Sequence, residues 1–385
     1  MNSGIDFLAV LSTDLMAIGL LIVTRFCAKI ISMDSERKDI HFFKYIFYVN
    51  VAACLMDIAA FYVDGMTDPN FMNFNRFYNF VLCAADVGVG VLWVAFYRAH
   101  LYGWNKKSKD VVKVVGFGAA FFVLFDFVGL FTGWVFTVSK DNVYSRSWGI
   151  YLFVAYVLLC LFYTIVDYIR YRRMVGIVRF FPIAAFLTPV IVGIIIQTLI
   201  YGTSFIWPSL SVSICAATLS LQNELAYLDE MTGLLNRAYL YSQKVYENSH
   251  GLLLIDVNGF HSVNDRFGHA EADDVLKTMG KILSLAAAQY GTAIRNSGDE
   301  FFLFTETGNR DQLGAIAEEI QQRVTLVNNK DNKLYKLSVS IGYINYDPGK
   351  DRIDDVLKLA DTYMNENKDN FYARHPELAR KRPIS

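Results

Sequence analysis

The chain is poor in cysteine. Five occur in 385 residues (Cys27, Cys54, Cys83, Cys160 and Cys215), each in or beside an apolar stretch, and none follows position 215. No Cys-x-x-Cys pair exists, which excludes a disulfide framework and a cysteine-based zinc site. The five read as small buried hydrophobes. A basic excess is also missing: 36 Lys and Arg face 37 Asp and Glu, a net charge of −1. With no basic footprint, a nucleic-acid partner is not expected. The first six residues, Met1 to Asp6, lack a basic region, so the first apolar stretch predicts a membrane anchor rather than a cleaved signal peptide. No Gly-, Ser- or Pro-rich linker separates the two halves. Residues 221–229 instead place Leu221, Leu225 and Leu228 on one helical face.

Apolar residues are abundant, at 54% of the chain with mean hydropathy +0.29. Seven stretches, near 5–24, 41–63, 77–97, 111–136, 148–169, 180–201 and 205–224, approach the ~20 residues that span a bilayer. The connections alternate in charge. The first carries Arg25, Lys29, Arg37, Lys38 and Lys44; the third, Arg98, Lys106, Lys107, Lys109 and Lys113; the fifth, Arg170, Arg172, Arg173 and Arg179. The second holds only Arg76, the fourth Lys140 and Arg146, and the sixth none. This pattern predicts residues 1–224 as a seven-span domain in the inner (cytoplasmic) membrane, with its N-terminus outside and the following domain in the cytoplasm.

Asp14, Asp57, Asp86 and Asp126 fall well inside the apolar stretches, with no Lys or Arg at matching depth; Asp167 lies nearer the cytoplasmic face. Ionisable residues at such depth mark either a ligand, proton or cation site or interhelical hydrogen bonds, and both readings stand. Gly129-x-x-x-Gly133 has the spacing of a helix–helix contact.

Residues 225–373 switch to an α/β pattern, and 374–385 form a basic tail. Helices are expected near 236–247, 275–286, 313–327 and 353–364, with strands at 252–256 and 337–343 and a loop over 257–268. Asn296-Ser297-Gly298 between two strand-like runs is turn chemistry, followed by the adjacent acids Asp299 and Glu300. The apolar run Leu252 to Ile255 ends in Asp256. If strand ends converge, as in open α/β sheets, Asp256 and Asp299 meet and suit a hard cation with oxygen ligands.

The pieces Asp229-x-x-Thr232-Gly233-Leu234-x-Asn236-Arg237, Asp256-x-Asn258-x-Phe260, Asn264-Asp265-x-x-Gly268-His269, Asp273-x-Val275-Leu276, Ser297-Gly298-Asp299-Glu300-Phe301, Ser340-x-Gly342 and Ala360-Asp361-x-x-Met364-x-x-x-Lys368 occur in one order. Residues 229–368 thereby resemble the GGDEF domain of diguanylate cyclases. The resemblance implies an α/β fold with a polymerase-palm or ferredoxin-like central sheet. It also implies condensation of two GTP, one on each protomer of a homodimer, to cyclic di-GMP and two pyrophosphates.

By resemblance, Asp256, Asp299 and the Val257 carbonyl bind Mg²⁺ or Mn²⁺, and Glu300 adds charge or takes a proton. Asn264 and Asp273 read guanine, the amides of Gly259, Phe260 and His261 cradle phosphate, Lys368 adds a charge, and Gly298 lets nucleotide approach. Downstream receptors of cyclic di-GMP are then the remaining partners, beside the lipid bilayer.

Five positions depart from the family pattern. Ser297 replaces the first signature glycine; a positive φ there would cost a β-carbon ~1 kcal/mol. Asn258 replaces a frequent acid, His261 a lysine, Ala272 a glycine, and Tyr372 an arginine. The family's inhibitory Arg-x-x-Asp is absent, its positions held by Ala288 and Gly291. The alternative is a degenerate domain that binds GTP or cyclic di-GMP without turnover. A transporter or channel with a regulatory nucleotide domain is a third reading, in which the intramembrane acids line the path.

Overall fold

A computed structural model describes residues 7–28, 37–175, 180–200, 202–330 and 335–376. Lys29, Arg179, the first six residues and tail residues 377–385 lie outside that set. The chain divides into two compact units, Met1–Gln222 and Asn223–Ser385.

The first unit is helical: α1 (Phe7–Cys27), α2 (Lys38–Val63), α3 (Pro69–Tyr102), α4 (Lys106–Thr132), α5 (Ile150–Val175), α6 (Ile183–Leu199) and α7 (Ile206–Tyr227). Among the described residues, five helices are long and apolar enough to cross a membrane: α1 to α5. Of the seven expected spans, the sixth is a 17-residue apolar helix with Pro189 inside it, about 25 Å long at 1.5 Å per residue. The seventh is 22 residues but diluted by serine. Large apolar side chains stand exposed on the outside of the bundle, among them Met16, Phe26, Phe117, Phe131 and Leu199, each at least 76% exposed. In water such a belt would aggregate; against lipid it costs nothing. The protein is a multi-pass membrane protein.

Polar contacts gather at the two ends of the bundle. At one end a hairpin, β1 (Phe136–Val138) with β2 (Tyr144–Arg146), closes over the α2–α3 turn. Asn142 donates to the carbonyls of Val63 and Met66, while Asp64 accepts from Asn75 at 3.0 Å and from the Tyr144 amide at 2.8 Å. At the other end Arg98 Nη1 lies 2.8 Å from Asp167, which also accepts from the Tyr97 hydroxyl at 2.9 Å. Arg37 and His100 both reach Asp39 there. Arg98 is therefore not a free loop charge, as the third connection suggested. It is 2% exposed and neutralises Asp167, which among the described residues is the one of Asp14, Asp57, Asp86, Asp126 and Asp167 in an ion pair. Of the remaining acids, Asp14 accepts from Ser204 at 3.3 Å, and both Asp126 oxygens are buried without a partner.

The hairpin was not foreseen, and it corrects the fourth stretch, which ends at Thr132 rather than near 136. Gly129 and Gly133 do not mark a helix–helix contact. Gly133 is the left-handed C-cap of α4, and a Cβ on Gly129 would meet the Val135 side chain at 2.9 Å as the chain folds back.

The second unit is a five-stranded sheet of order β3-β5-β6-β4-β7, with β3 (Leu235–Asn236), β4 (Gly251–Val257), β5 (Gly291–Ser297), β6 (Glu300–Thr305) and β7 (Val339–Asn345). Central β4 is antiparallel to both β6 and β7, and only β3–β5 is parallel. Helices are α8 (Arg237–Ser242), α9 (Phe260–Phe267), α10 (His269–Tyr290), α11 (Arg310–Lys330) and α12 (Ile353–Arg374).

All seven β4 residues are buried because helices cover both faces. Leu253, Ile255, Phe301 and Leu303 pack with Val275, Met279 and Leu283 of α10 and with Leu313, Ile316 and Ile320 of α11. α12 lies against β7 and β4 on the other face, close enough that a Cβ on Gly342 would strike the α12 backbone at Ala360 and Met364. The expected loop 257–268 is corrected: α9 occupies most of it, with Phe260, Val263 and Phe267 at helical spacing.

Breaking the Arg98–Asp167 pair strands a buried charge, worth about 3–5 kcal/mol. Arg98→Met and Asp167→Leu should each lower the thermal midpoint of the detergent-purified protein, and the double variant should recover much of the loss.

Candidate active site

The apolar residues of β4 push the strand through the core, and the first polar side chain it delivers is Asp256, 3% exposed. Antiparallel pairing sets what stands opposite. Asp256 pairs with Glu300 across β4–β6, and the Val257 amide donates to the Asp299 carbonyl at 3.2 Å. The two-residue turn Gly298-Asp299 between β5 and β6 thus abuts the C-terminal end of β4. Asp256 and Asp299 do converge, but the cause is this hairpin register and not the parallel strand ends of an open α/β sheet.

Lys368, from α12, reaches across β4 and places Nζ 2.7 Å from Asp256 Oδ1. The contact is a charge-assisted hydrogen bond that ties the helix to the buried acid. Burial raises the Asp256 carboxyl to about 6; Lys368 opposes this, while the charges of Asp299 and Glu300 add to it. Burial alone would lower the Lys368 ammonium, yet the neighbouring Asp256 raises it.

A buried carboxylate paired with a lysine, a second carboxylate at the hairpin and a main-chain carbonyl at Val257 make a donor set of hard oxygens. That set fits a divalent cation completed by ligand phosphates. Among the described residues no group of three or more His, Cys, Asp or Glu is placed to hold a metal without such a ligand.

Beside the acids, α9 begins at Phe260, and its first intrahelical amide bond runs from Val263 to Gly259 at 3.1 Å. The Phe260 and His261 amides precede that bond, so the helix start is open to an anion. The Gly259 amide is different: it donates to the Tyr372 hydroxyl at 3.1 Å. Tyr372, from α12, thus caps one of the three amides expected to cradle phosphate. Asn264 Oδ1, on α9, is buried with no partner, whereas Asp273 sits half-buried just beyond the first turn of α10. His261 is exposed. Asn258 is buried and accepts from Ser340 at 2.8 Å, a structural role beside the acids.

The hairpin is braced by residues whose roles were not anticipated. Arg295 donates from Nε and Nη2 to the Gly298 carbonyl, at 3.0 and 2.8 Å, and from Nη1 to both Asp229 oxygens at 2.9 and 3.0 Å. Burial works to raise the Asp229 carboxyl, but hydrogen bonds from Thr232 and Arg295 outweigh it and hold it below its usual value. The only prior hint was charge complementarity between an acid at the domain start and an Arg before the turn. Ser297 corrects an expectation: it is not among the residues with positive φ, which in this turn falls on Gly298 (φ 37°). Its β-carbon costs no backbone strain, and its hydroxyl donates to Glu300 Oε2 at 3.0 Å, beside the Asn296 amide at 3.0 Å.

Residues 226–372 match the sequence model of the family described as diguanylate cyclase, GGDEF domain. Diguanylate cyclase DgcM of Escherichia coli is 31% identical over 153 residues, 38% of this chain and 37% of that protein. Diguanylate cyclase A of Treponema denticola is 30% identical over 120 residues, 31% and 32% of the two chains. An uncharacterized membrane protein of Staphylococcus saprophyticus is 32% identical over 122 residues, 31% and 34%. The chain therefore spans about a third of the length of these curated relatives. Among solved structures, the coiled coil and GGDEF domain of DgcB from Caulobacter crescentus, in complex with c-di-GMP, aligns at 22% identity and TM-score 0.36, covering 40% of this chain and 85% of that one.

Arg295→Ala should destabilise the second unit by about 2–3 kcal/mol, the worth of charged hydrogen bonds lost around a half-buried acid. Denaturant unfolding measures that loss, and hydrogen exchange should rise first at the amides of residues 297–300.

Proposed function

Taking as premise that residues 226–372 are a GGDEF domain, we propose that this membrane protein is a diguanylate cyclase condensing two GTP to cyclic di-GMP and two pyrophosphates. The observation that carries the reading is the meeting of Asp256, the Asp299 turn and Lys368 at one end of β4. A helix start with open amides and an unpaired amide oxygen at Asn264 lie on the adjoining α9.

In this reading the Phe260 and His261 amides and the Lys368 ammonium bind the phosphates of GTP, and Asn264 with Asp273 takes the guanine edge. Guanine suits that pair: a carboxylate accepts from N1–H and the amino group, and the free Asn264 oxygen takes a donor. Asp256, Asp299 and the Val257 carbonyl would hold Mg²⁺ or Mn²⁺, which supplies charge neutralisation and a more acidic 3′-hydroxyl when bound.

The 3′-oxygen of one nucleotide forms a bond to the α-phosphorus of the other, the bond to pyrophosphate breaks, and the hydroxyl proton leaves toward Glu300. One domain holds one nucleotide, so two copies of the chain must face each other, and the second condensation closes the ring. The positive-inside pattern of the connections supports a cytoplasmic domain, and in this reading the membrane unit is its regulator. Ser297, which with Tyr372 favours a binding-only domain, brings no strain. Tyr372 must release the Gly259 amide when phosphate arrives.

Full-length protein in nanodiscs with GTP and Mg²⁺ should form cyclic di-GMP, followed by mass spectrometry, and Asp299→Ala should lower turnover at least 100-fold. Tyr372→Phe should lower KM for GTP a few-fold, since it frees one amide. Added cyclic di-GMP should not inhibit through the surface at Ala288 and Gly291. Equilibrium GTP binding without product from the parent would replace the cyclase with a nucleotide receptor.

A further inference from the structure

A cavity runs into the membrane unit between α2, α3, α5, α6 and α7, with about 1560 Å³ of empty space when its open mouth is counted. Asp64, Asn75 and Arg146 stand at the end of the bundle carrying the hairpin, and Arg146 there donates to the Thr198 carbonyl at 3.4 Å. Deeper, the walls are apolar and aromatic, with Trp93, Phe153, Phe186 and Trp207 among them. Two carboxylates interrupt these walls, Asp57 of α2 and Asp86 of α3.

Asp57 is 6% exposed, and its Oδ2 has no hydrogen-bond partner; Trp93 is 8% exposed, and its indole N–H has none either. Among the described residues neither acid forms an ion pair, unlike Asp167 with Arg98. An acid without a cation among aromatic walls is expensive for packing alone, and in a membrane span it points to a bound partner. The partner chemistry follows from the lining. An anion meets two carboxylates. A neutral apolar molecule leaves both unpaired. A bare metal ion finds no group of three ligating side chains among the described residues and leaves the aromatic volume empty. A positive nitrogen on an apolar or aromatic body satisfies the deeper surface, away from Arg146 at the mouth: the acids by charge, the rings by cation–π contact and apolar burial.

We propose that the membrane unit binds a small organic ammonium ion in this cavity, its nitrogen held by Asp57 and Asp86. Such a site gives the chain a chemical input, and it stands whether or not the second unit turns over GTP.

The test uses the full chain in nanodiscs, titrated separately with phenethylamine, 2-phenylethanol and phenylacetate, matched in shape and differing in charge. Trp93 and Trp207 line the cavity, so tryptophan fluorescence reports occupancy and the thermal midpoint confirms it. Phenethylamine should bind saturably and at least 10-fold more tightly than the alcohol or the acid. Asp57→Asn and Asp86→Asn should each weaken it at least 10-fold, while Asp141→Asn, on the exposed hairpin turn, should leave it unchanged. No saturable response to phenethylamine overturns the proposal, as does equal binding of the alcohol, a preference for phenylacetate, or unchanged affinity in both aspartate variants. Should those variants fail to fold, the comparison of amine with alcohol on the parent chain decides.

Discussion

The second unit depends on one constraint: β4 is apolar on both faces and ends in a carboxylate. Helices cover both sides of the sheet, so Leu252 to Ile255 are buried whichever way they point. A one-residue slip of the strand would draw Asp256 into the hydrophobic core. Burial therefore fixes the register, and the register fixes where the acid appears. Everything around it is positioned secondarily. The β5–β6 turn is held to the end of β4 by the Val257 amide, and Lys368 crosses from α12 to meet the charge. The cost of a carboxylate at 3% exposure is offset by a lysine that remains available to a phosphate.

The membrane unit obeys the same rule in a different solvent. Its apolar surface faces outward, and its polar groups are spent at the two ends, where Asp64, Asn75 and Asn142 tie one set of helix termini and Arg98, Tyr97 and Asp167 tie the other. Between those ends the acids divide by partner. Asp14 accepts from Ser204 in the connection between α6 and α7, whereas Asp167, at one end, has a cation from α3. Asp57, Asp86 and Asp126 have no cation among the described residues; of these three, Asp57, which also lies against Ser204 and Asp14, and Asp86 line the cavity.

Much of this was legible in the sequence, for identifiable reasons. Helices α10, α11 and α12 announce themselves because their buried residues recur at helical spacing, and β4 because four apolar residues end in an acid. The turn at 297–299 is legible because glycine marks where the backbone turns left-handed. Helix α9 was hidden: it is eight residues long, and a family resemblance marks its residues by their contacts, not by their spacing. The β1–β2 hairpin was hidden because its Val135, Phe136 and Val138 read as the tail of an apolar span. The Arg295–Asp229 bridge joins positions 66 apart, and no local pattern carries such a pairing. Tyr372 stands where the family pattern has an arginine, and its hydroxyl accepts from a main-chain amide that no sequence pattern pairs with it.

Gly291 has a consequence beyond its own turn. Its φ is 155°, and a β-carbon on it would collide with the Phe304 carbonyl oxygen on the neighbouring strand. The position therefore excludes not only aspartate but every side chain. A surface closed in this way cannot regain a feedback site by a single base change, because the backbones of β5 and β6 would first have to part. A ligand site on this face would have to draw its side chains from neighbouring positions instead.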